Sequence, residues 1–233
     1  MENPILGKQQ MTLADFYNRI YALVGVGILV SAATAFITLT FFANTIMTML
    51  QQGGFTLLIL SLVPLLVVFP LSRAASNNSP MALPLFIGFS ALFGFILSFT
   101  LAFYTAGDIT IAFVTASAMF FGLSIYGRLT KRNLSAMGKV LGTAVWGLII
   151  AMVLNFFFHS SMITLLTSLA GVVIFSGLIA WDNQKIAHVY NENNGNVKEG
   201  WAISMALSLY LDFINLFLFL LRLFGIAGSN NRN

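Results

Sequence analysis

Seven long runs of apolar residues, almost free of charge, constrain the fold of this chain more than any other sequence feature. A helix needs about 20 mainly apolar residues to cross the roughly 30 Å hydrocarbon core of a bilayer. The runs are Ile20 to Phe42, Phe55 to Leu71, Ala82 to Tyr104, Ile109 to Tyr126, Val140 to Phe158, Met162 to Trp181 and Trp201 to Phe224. We therefore predict an all-α integral membrane protein with seven transmembrane helices.

Composition supports this class and excludes several others. Apolar residues make up 58% of the 233 residues and charged residues only 8%, against about 25% charged residues in a typical soluble domain. The chain has no cysteine and two histidines, His159 and His188, which excludes thiolate metal sites and makes a closed zinc site improbable. The basic residues are dispersed along the chain, and this argues against nucleic acid as a partner.

The distribution of basic residues predicts the orientation. Lysine and arginine concentrate in short cytoplasmic connections of membrane proteins. A cytoplasmic N-terminus places nine of the eleven inside and leaves Arg222 and Arg232 outside; the nine are Lys8, Arg19, Arg73, Arg128, Lys131, Arg132, Lys139, Lys185 and Lys198. We expect a multi-pass protein of the plasma membrane with its C-terminus outside.

The predicted organisation is a single domain with short flanks. Residues 1–19 form a cytoplasmic leader, residues 20–225 the seven-helix domain, and residues 226–233 a short polar tail. Thr12 followed by Asp15 resembles a capping box, which predicts a first helix beginning near Met11. The leader is expected to be retained in the mature protein.

A carboxylate inside the last apolar run requires a partner or a purpose, because its insertion costs roughly 2.5–3.5 kcal/mol. On a helix of 3.6 residues per turn, Asp212 shares one side with Ser204, Ser208 and Asn215, and more loosely with Arg222. Lipid would not accept this polar stripe, so we expect the seventh helix to lie in the middle of the bundle.

Asp182 ends the sixth apolar run at the predicted inner boundary. The sixth and seventh helices are consecutive, so the two carboxyl groups meet if the seventh helix is set lower in the membrane or if water enters. Such a pair would titrate as a unit and act as a proton switch. The structural alternative is that Asp212 pairs with Arg73 or Arg222, or hydrogen-bonds to Asn215, and simply fastens the bundle.

Three stretches of the chain resemble one known family. They are Tyr210-Leu211-Asp212-Phe213-Ile214-Asn215-Leu216-Phe217 continuing to Gly225, Thr115-Ala116 through Ser124-Ile125-Tyr126-Gly127 to Thr130-Lys131-Arg132, and Asp182-Asn183-Gln184. Together they are similar to the Bax inhibitor-1 family, the transmembrane Bax inhibitor motif proteins, over nearly the whole chain. Asn133 departs from the pattern, because many relatives have Asp after Thr-Lys-Arg.

The resemblance implies a seven-helix fold in which the seventh helix is surrounded by the other six, and a pH-sensitive calcium leak. It makes Asp182 and Asp212 the proton sensor and weak calcium contacts, with an arginine latch for which Arg73 is the candidate. Ser204, Ser208, Asn215 and Arg222 are candidates for a polar pathway.

The expected partners are the lipid bilayer, calcium ions and protons, with no cofactor and no enzymatic activity. The alternative function, also implied by the family, is a membrane-embedded regulator that binds a membrane protease or a cell-death or stress partner without conducting ions.

Overall fold

A computed structural model describes residues 11–51 and 54–230 of the chain. Within those ranges the chain forms eight helices and no strand. The helices are α1 (Leu13–Phe41), α2 (Ala43–Gln51), α3 (Gly54–Ser76), α4 (Ala82–Leu101), α5 (Ala106–Leu129), α6 (Ser135–Phe158), α7 (Ser161–Glu192) and α8 (Glu199–Asn230).

Six of these helices are long and apolar enough to cross a membrane, namely α1, α4, α5, α6, α7 and α8. They contain six of the seven predicted runs, so the prediction of a multi-pass helical membrane protein is confirmed. The remaining run lies in α3, where Leu66–Ser76 forms a shorter apolar stretch of the described residues. A seventh span therefore stays a prediction.

At both ends of the domain a helix continues into the predicted flank, and at the N-terminal end this agrees with the predicted start near Met11. Thr12 and Asp15 form the predicted capping box, in which the Thr12 hydroxyl accepts from Asp15 N at 3.1 Å. Helix α1 therefore begins at Leu13, inside the predicted leader. At the other end α8 continues to Asn230, through much of the predicted polar tail; residues 1–10 and 231–233 lie outside the described ranges.

Two connections differ from the sequence prediction. The predicted loop from Ala43 to Gly54 contains the short helix α2. Helix α7 does not end at Asp182 but continues to Glu192. The connection between α7 and α8 is therefore residues 193–198, and not the whole stretch between the sixth and seventh apolar runs. The reason is that residues 183–192 contain neither glycine nor proline, so the chain leaves the apolar layer without breaking the helix.

Helix α8 is the most buried of the six spans. In its most apolar part 67% of residues are buried, compared with 44% in α4 and 6% in α6. It packs against α1, α3, α4, α5 and α7, whereas α6 packs mainly on α7. Exposed apolar side chains on the outer helices, such as Phe36, Phe121 and Trp146, form the surface expected to face lipid.

One end of the bundle collects most of the described basic residues. It contains the starts of α1 and α8 and the ends of α3, α5 and α7, and we call it the basic end. The Arg19–Glu199 ion pair joins α1 to α8 there, and Gly200 N donates to Asn78 Oδ1 at 2.8 Å, which joins α8 to the end of α3. This end corresponds to the side predicted to be cytoplasmic.

Candidate functional site

The structure brings the two predicted aspartates together. The carboxyl groups of Asp182 on α7 and Asp212 on α8 lie close enough for each to act electrostatically on the other, and each residue is only 8% exposed. The extension of α7 explains how they meet. Asp182 lies about 15 Å before the end of α7 and Asp212 about 20 Å after the start of α8, at 1.5 Å per residue. Both aspartates are therefore at similar depth, and α8 need not be displaced.

The surroundings of Asp212 leave it poorly satisfied. Its Oδ2 atom is buried and has no hydrogen-bond partner among the described residues. Lys185, one turn after Asp182, is the positive charge that acts on both carboxyl groups, and its Nζ lies 5.1 Å from the centre of the Trp181 ring. A buried carboxyl oxygen without a donor is costly, as expected where function rather than stability selects a residue.

Among the described residues, the partners proposed in the structural alternative form no hydrogen bond or ion pair with Asp212. Asn215 Nδ2 donates to the Leu211 carbonyl oxygen at 2.8 Å. Within the described residues the recorded ion pair is Arg19–Glu199, so neither Arg73 nor Arg222 forms one with Asp212. In this structure the charged group nearest to Asp212 on the neighbouring helix is therefore Asp182, together with Lys185, and not an arginine.

A cleft leads from the basic end to the aspartate pair. It has a volume of about 310 Å³ and runs from Asn193 and Trp201, at the α7–α8 connection, to Asp182. Ser204 and Ser208 line the same cleft, and Ser204 is exposed along it. Water and small ions can therefore approach Asp182 from this side, with hydroxyl oxygens along the way.

The other two polar residues of the predicted stripe lie beyond the pair, away from this cleft. Asn215 is occupied by the hydrogen bond within its own helix. Arg222 lies 5.4 Å from the centre of the Phe219 ring, and its Nη1 is 3.9 Å from Met152 Sδ. The stripe is thus divided into two parts. Ser204 and Ser208 line the cleft, whereas Asn215 and Arg222 lie outside it.

Arg73, the candidate latch, lies in the last turn of α3 at the basic end. Its side chain is exposed and forms no ion pair with Asp182 or Asp212. Its latch role stays a prediction.

Asn183 is a site residue whose role the sequence did not indicate. It is fully buried beside Asp182, and its side chain accepts from Tyr21 and donates to Ser124 Oγ at 3.1 Å. Its carbonyl oxygen accepts from Tyr17 at 2.8 Å. Since these bonds tie α7 to α1 and α5, Asn183 fixes the position of its neighbour Asp182. The sequence signals were its position next to Asp182 and its place in the family-like stretch Asp182-Asn183-Gln184, and neither indicated its hydrogen-bond partners.

A second network holds the opposite side of α8. The Tyr210 hydroxyl lies 2.7 Å from Ser31 Oγ, which donates to the Ser90 carbonyl oxygen at 2.7 Å. The Tyr210 ring is fully buried and makes edge contacts with Phe86 and Phe89. Helix α8 is therefore anchored to α1 and α4 two residues before Asp212.

The donor set at the site suits a loosely held cation better than a tight one. No group of three or more histidine, cysteine, aspartate or glutamate residues close enough to hold a metal occurs in the described ranges. Two carboxyl groups and two serine hydroxyls supply at most six oxygens, which only reaches the lower limit of the six to eight ligands that calcium prefers.

A family model described as "Inhibitor of apoptosis-promoting Bax1" matches residues 13–229, which is nearly the whole chain. The match includes every residue of the aspartate site.

Relatives from several bacteria are similar over their full length. The uncharacterized protein YrjE of Lactococcus lactis is 64% identical over 228 residues, covering 98% of this chain and 97% of that protein. An uncharacterized membrane protein of Streptococcus pyogenes is 42% identical, covering 96% and 98%. The inner membrane protein YbhL of Escherichia coli is 36% identical, covering 91% and 92%.

Proposed function

Because this chain belongs to the Bax inhibitor-1 family, we propose that it is a pH-sensitive calcium leak channel whose gate is the pair formed by Asp182 and Asp212. The observation that carries the proposal is the cleft that leads from the basic end to Asp182, which is buried beside Asp212 of the neighbouring helix. Buried ionisable groups within membrane helices are typical of ion pathways and proton relays.

The proposed topology has seven spans. Helix α3 supplies the seventh, α8 is the central helix, the N-terminus and the basic end are cytoplasmic, and the C-terminus is outside. The support is the concentration of basic residues at one end, together with bacterial relatives such as an inner membrane protein. The membrane is then the plasma membrane.

In the proposed mechanism a calcium ion enters the cleft partly hydrated. Ser204 and Ser208 replace some of its water, and the aspartate pair attracts it according to the net charge of the pair. Weak, multi-site contacts of this kind favour passage over storage. Since two interacting carboxyl groups bind protons as a coupled pair, the pH sets the charge that the ion meets.

In the proposal the closed pathway is blocked beyond the aspartate pair. Beyond Asp212 the described part of α8 continues with the buried side chains of Phe213, Leu216 and Phe217. In the proposal this buried apolar layer closes the pathway, so opening requires α8 to move relative to its neighbours. In the proposal Arg73 forms an ion pair with one of the two aspartates in the closed state, a pair that this structure does not contain among its described residues.

The test is calcium flux through the purified full chain in liposomes at pH 5 to 8. We compare the native protein with Asp212→Asn and Asp182→Asn, which keep side-chain size and remove one titrating group each. The matched control is Glu199→Gln, which removes an exposed carboxylate at the same end of the bundle. We expect pH-dependent flux in the native chain and in the control, and a flattened pH profile in both aspartate variants.

Two results would refute the proposal. One is the absence of flux at every pH from native protein that elutes as a single folded species. The other is an unchanged pH profile in both folded aspartate variants. Either result would favour the regulatory alternative, in which the aspartates contribute only to stability.

A further inference from the structure

A second cleft lies at the basic end, on the side of α7 away from the aspartate cleft. It has a volume of about 260 Å³ and is formed by the end of α5, the α5–α6 connection and α7. Four nitrogen-bearing side chains line it, from Arg128, Lys131, Arg132 and His188, and its lining residues include no Asp or Glu. We call it the basic cleft.

Hydrogen bonds hold the walls of the basic cleft in place. Gln184 on α7 accepts from Leu134 N at 2.8 Å and donates to the Arg132 carbonyl oxygen at 2.7 Å, so its amide clamps the connection to the helix. The Arg128 guanidinium lies 4.2 Å from the centre of the Tyr17 ring. The cleft is therefore preformed, and a ligand would not have to order the loop on binding.

The charge in the cleft is not neutralised by neighbouring side chains. Within residues 11–51 and 54–230 no ion pair is recorded for Arg128, Lys131 or Arg132, and all three side chains are exposed. Two guanidinium groups and one ammonium group that converge on one small volume suit a phosphate group, which accepts several charge-assisted hydrogen bonds at once.

The neighbouring surface indicates where that phosphate comes from. Phe121, Ile125 and Leu129 are 65%, 56% and 76% exposed and follow each other at four-residue spacing along α5, up to the cleft. In the membrane this stripe faces acyl chains. A phospholipid whose headgroup enters the cleft could lay its chains along the stripe, whereas a soluble phosphate would leave the stripe unused.

We propose that the basic cleft is a binding site for the phosphate of an anionic phospholipid in the leaflet at the basic end. The site is separate from the aspartate cleft and does not depend on whether the chain conducts ions. Gln184, which neighbours Asn183, fixes the α5–α6 connection around the ligand.

The test measures binding of phosphatidylglycerol to the purified full chain in uncharged detergent micelles. The readout is the rise of the thermal unfolding midpoint as dioleoyl-phosphatidylglycerol is added, with dioleoyl-phosphatidylcholine as the uncharged reference and inorganic phosphate as the soluble one. The test variant is Lys131→Gln with Arg132→Gln, two exposed side chains whose loss leaves the Gln184 hydrogen bonds in place. The matched control is Lys139→Gln, an exposed lysine at the same end that does not line the cleft.

We expect phosphatidylglycerol to stabilise the native chain and the control equally. The double variant should bind about 25-fold more weakly, since each exposed ion pair that the lipid phosphate loses in the cleft is worth about a fivefold factor. Single variants at the two positions, each about fivefold weaker, keep the test valid if the double variant does not fold.

Three outcomes would overturn the proposal. Equal stabilisation by both lipids would show that charge is not recognised. If the Lys139→Gln control lost as much affinity for phosphatidylglycerol as the double variant, the lipid would be attracted to the charged surface in general and not bound at a site. Saturable stabilisation by inorganic phosphate alone, with no further effect of the lipid, would assign the cleft to a soluble phosphate compound.

Discussion

Replacing Gly127 by alanine should destabilise the fold and disturb the aspartate site, whereas the same change at Gly122 should not. Both glycines lie on α5, so the two variants change helix propensity alike. A β-carbon at Gly127 would overlap the Ala180 carbonyl oxygen and stand 2.9 Å from its carbonyl carbon and 3.0 Å from Asn183 Cβ. At Gly122 nothing lies within 4 Å.

The magnitude follows from which atoms must move. Ordinary contacts of a β-carbon begin at 3.4 Å, so α5 and the Ala180 carbonyl group of α7 have to separate by about one ångström. Because the obstacle is backbone, no rotamer change relieves it, and overpacking of this kind costs about 1–3 kcal/mol. A gain in helix propensity offsets less than about 1 kcal/mol of this. For a chain of this size, a loss of 2 kcal/mol lowers the unfolding midpoint by about 4–8 °C.

The assay is thermal unfolding of each variant in the same detergent, followed by calcium flux from pH 5 to 8. Gly127→Ala should unfold at a lower temperature and, because α7 carries Asp182, also change the pH profile of flux. Gly122→Ala should match the native chain within about 2 °C. Equal midpoints for all three proteins would refute the close approach of α5 and α7 and, with it, the described position of Asp182.

Three further predictions concern hydrogen bonds and an ion pair. Tyr210→Phe removes a fully buried hydroxyl bond between α8 and α1 and should cost about 0.5–1.5 kcal/mol of unfolding free energy, measured by thermal unfolding in detergent. Tyr21→Phe removes a donor to the Asn183 side chain, should cost a similar amount in the same assay, and should also alter the pH profile of calcium flux. Arg19→Gln breaks the exposed pair with Glu199 and should cost less than about 1 kcal/mol, with the difference from the native midpoint shrinking as salt is raised.

Tyr126→Phe is the control for both tyrosine variants, because the Tyr126 ring is 49% exposed and should tolerate the change. If Tyr126→Phe lowered the unfolding free energy as much as Tyr210→Phe, the contribution assigned to the buried Tyr210–Ser31 hydrogen bond would be contradicted. A salt-independent loss above about 2 kcal/mol for Arg19→Gln would contradict the exposed geometry of its ion pair.

The composition of the site was predictable from sequence, but its geometry only in part. A carboxylate within an apolar run is conspicuous, so Asp212 and its serine neighbours could be identified from helical spacing. The depth of Asp182 could not, because the sequence was divided at Trp181 by hydrophobicity while the helix continues to Glu192. Hydropathy indicates where the chain leaves the apolar layer of the membrane. A helix ends where residues such as glycine or proline interrupt its hydrogen bonding, and these two positions need not coincide.

The roles of Asn183 and Gln184 show a second limit. Both are polar residues that follow an apolar run, and from sequence alone such residues are expected to face water. The structure buries them and gives their amide groups partners on α1, on α5 and on the α5–α6 connection. Such partners are distant in sequence, so no local pattern predicts them.

The sequence by itself determined that the chain is a helical membrane protein, which helix carries the polar stripe, and which family it belongs to. These properties depend on composition and on the spacing of residues within one segment, because the preference of a segment for the bilayer is set by its own side chains. Only the tertiary structure decided that the two carboxyl groups meet, that serines line their access cleft, and that four basic or imidazole side chains converge beside α7. Those facts depend on how helices distant in sequence pack together, because close approach is set by the side chains of both partners at each contact.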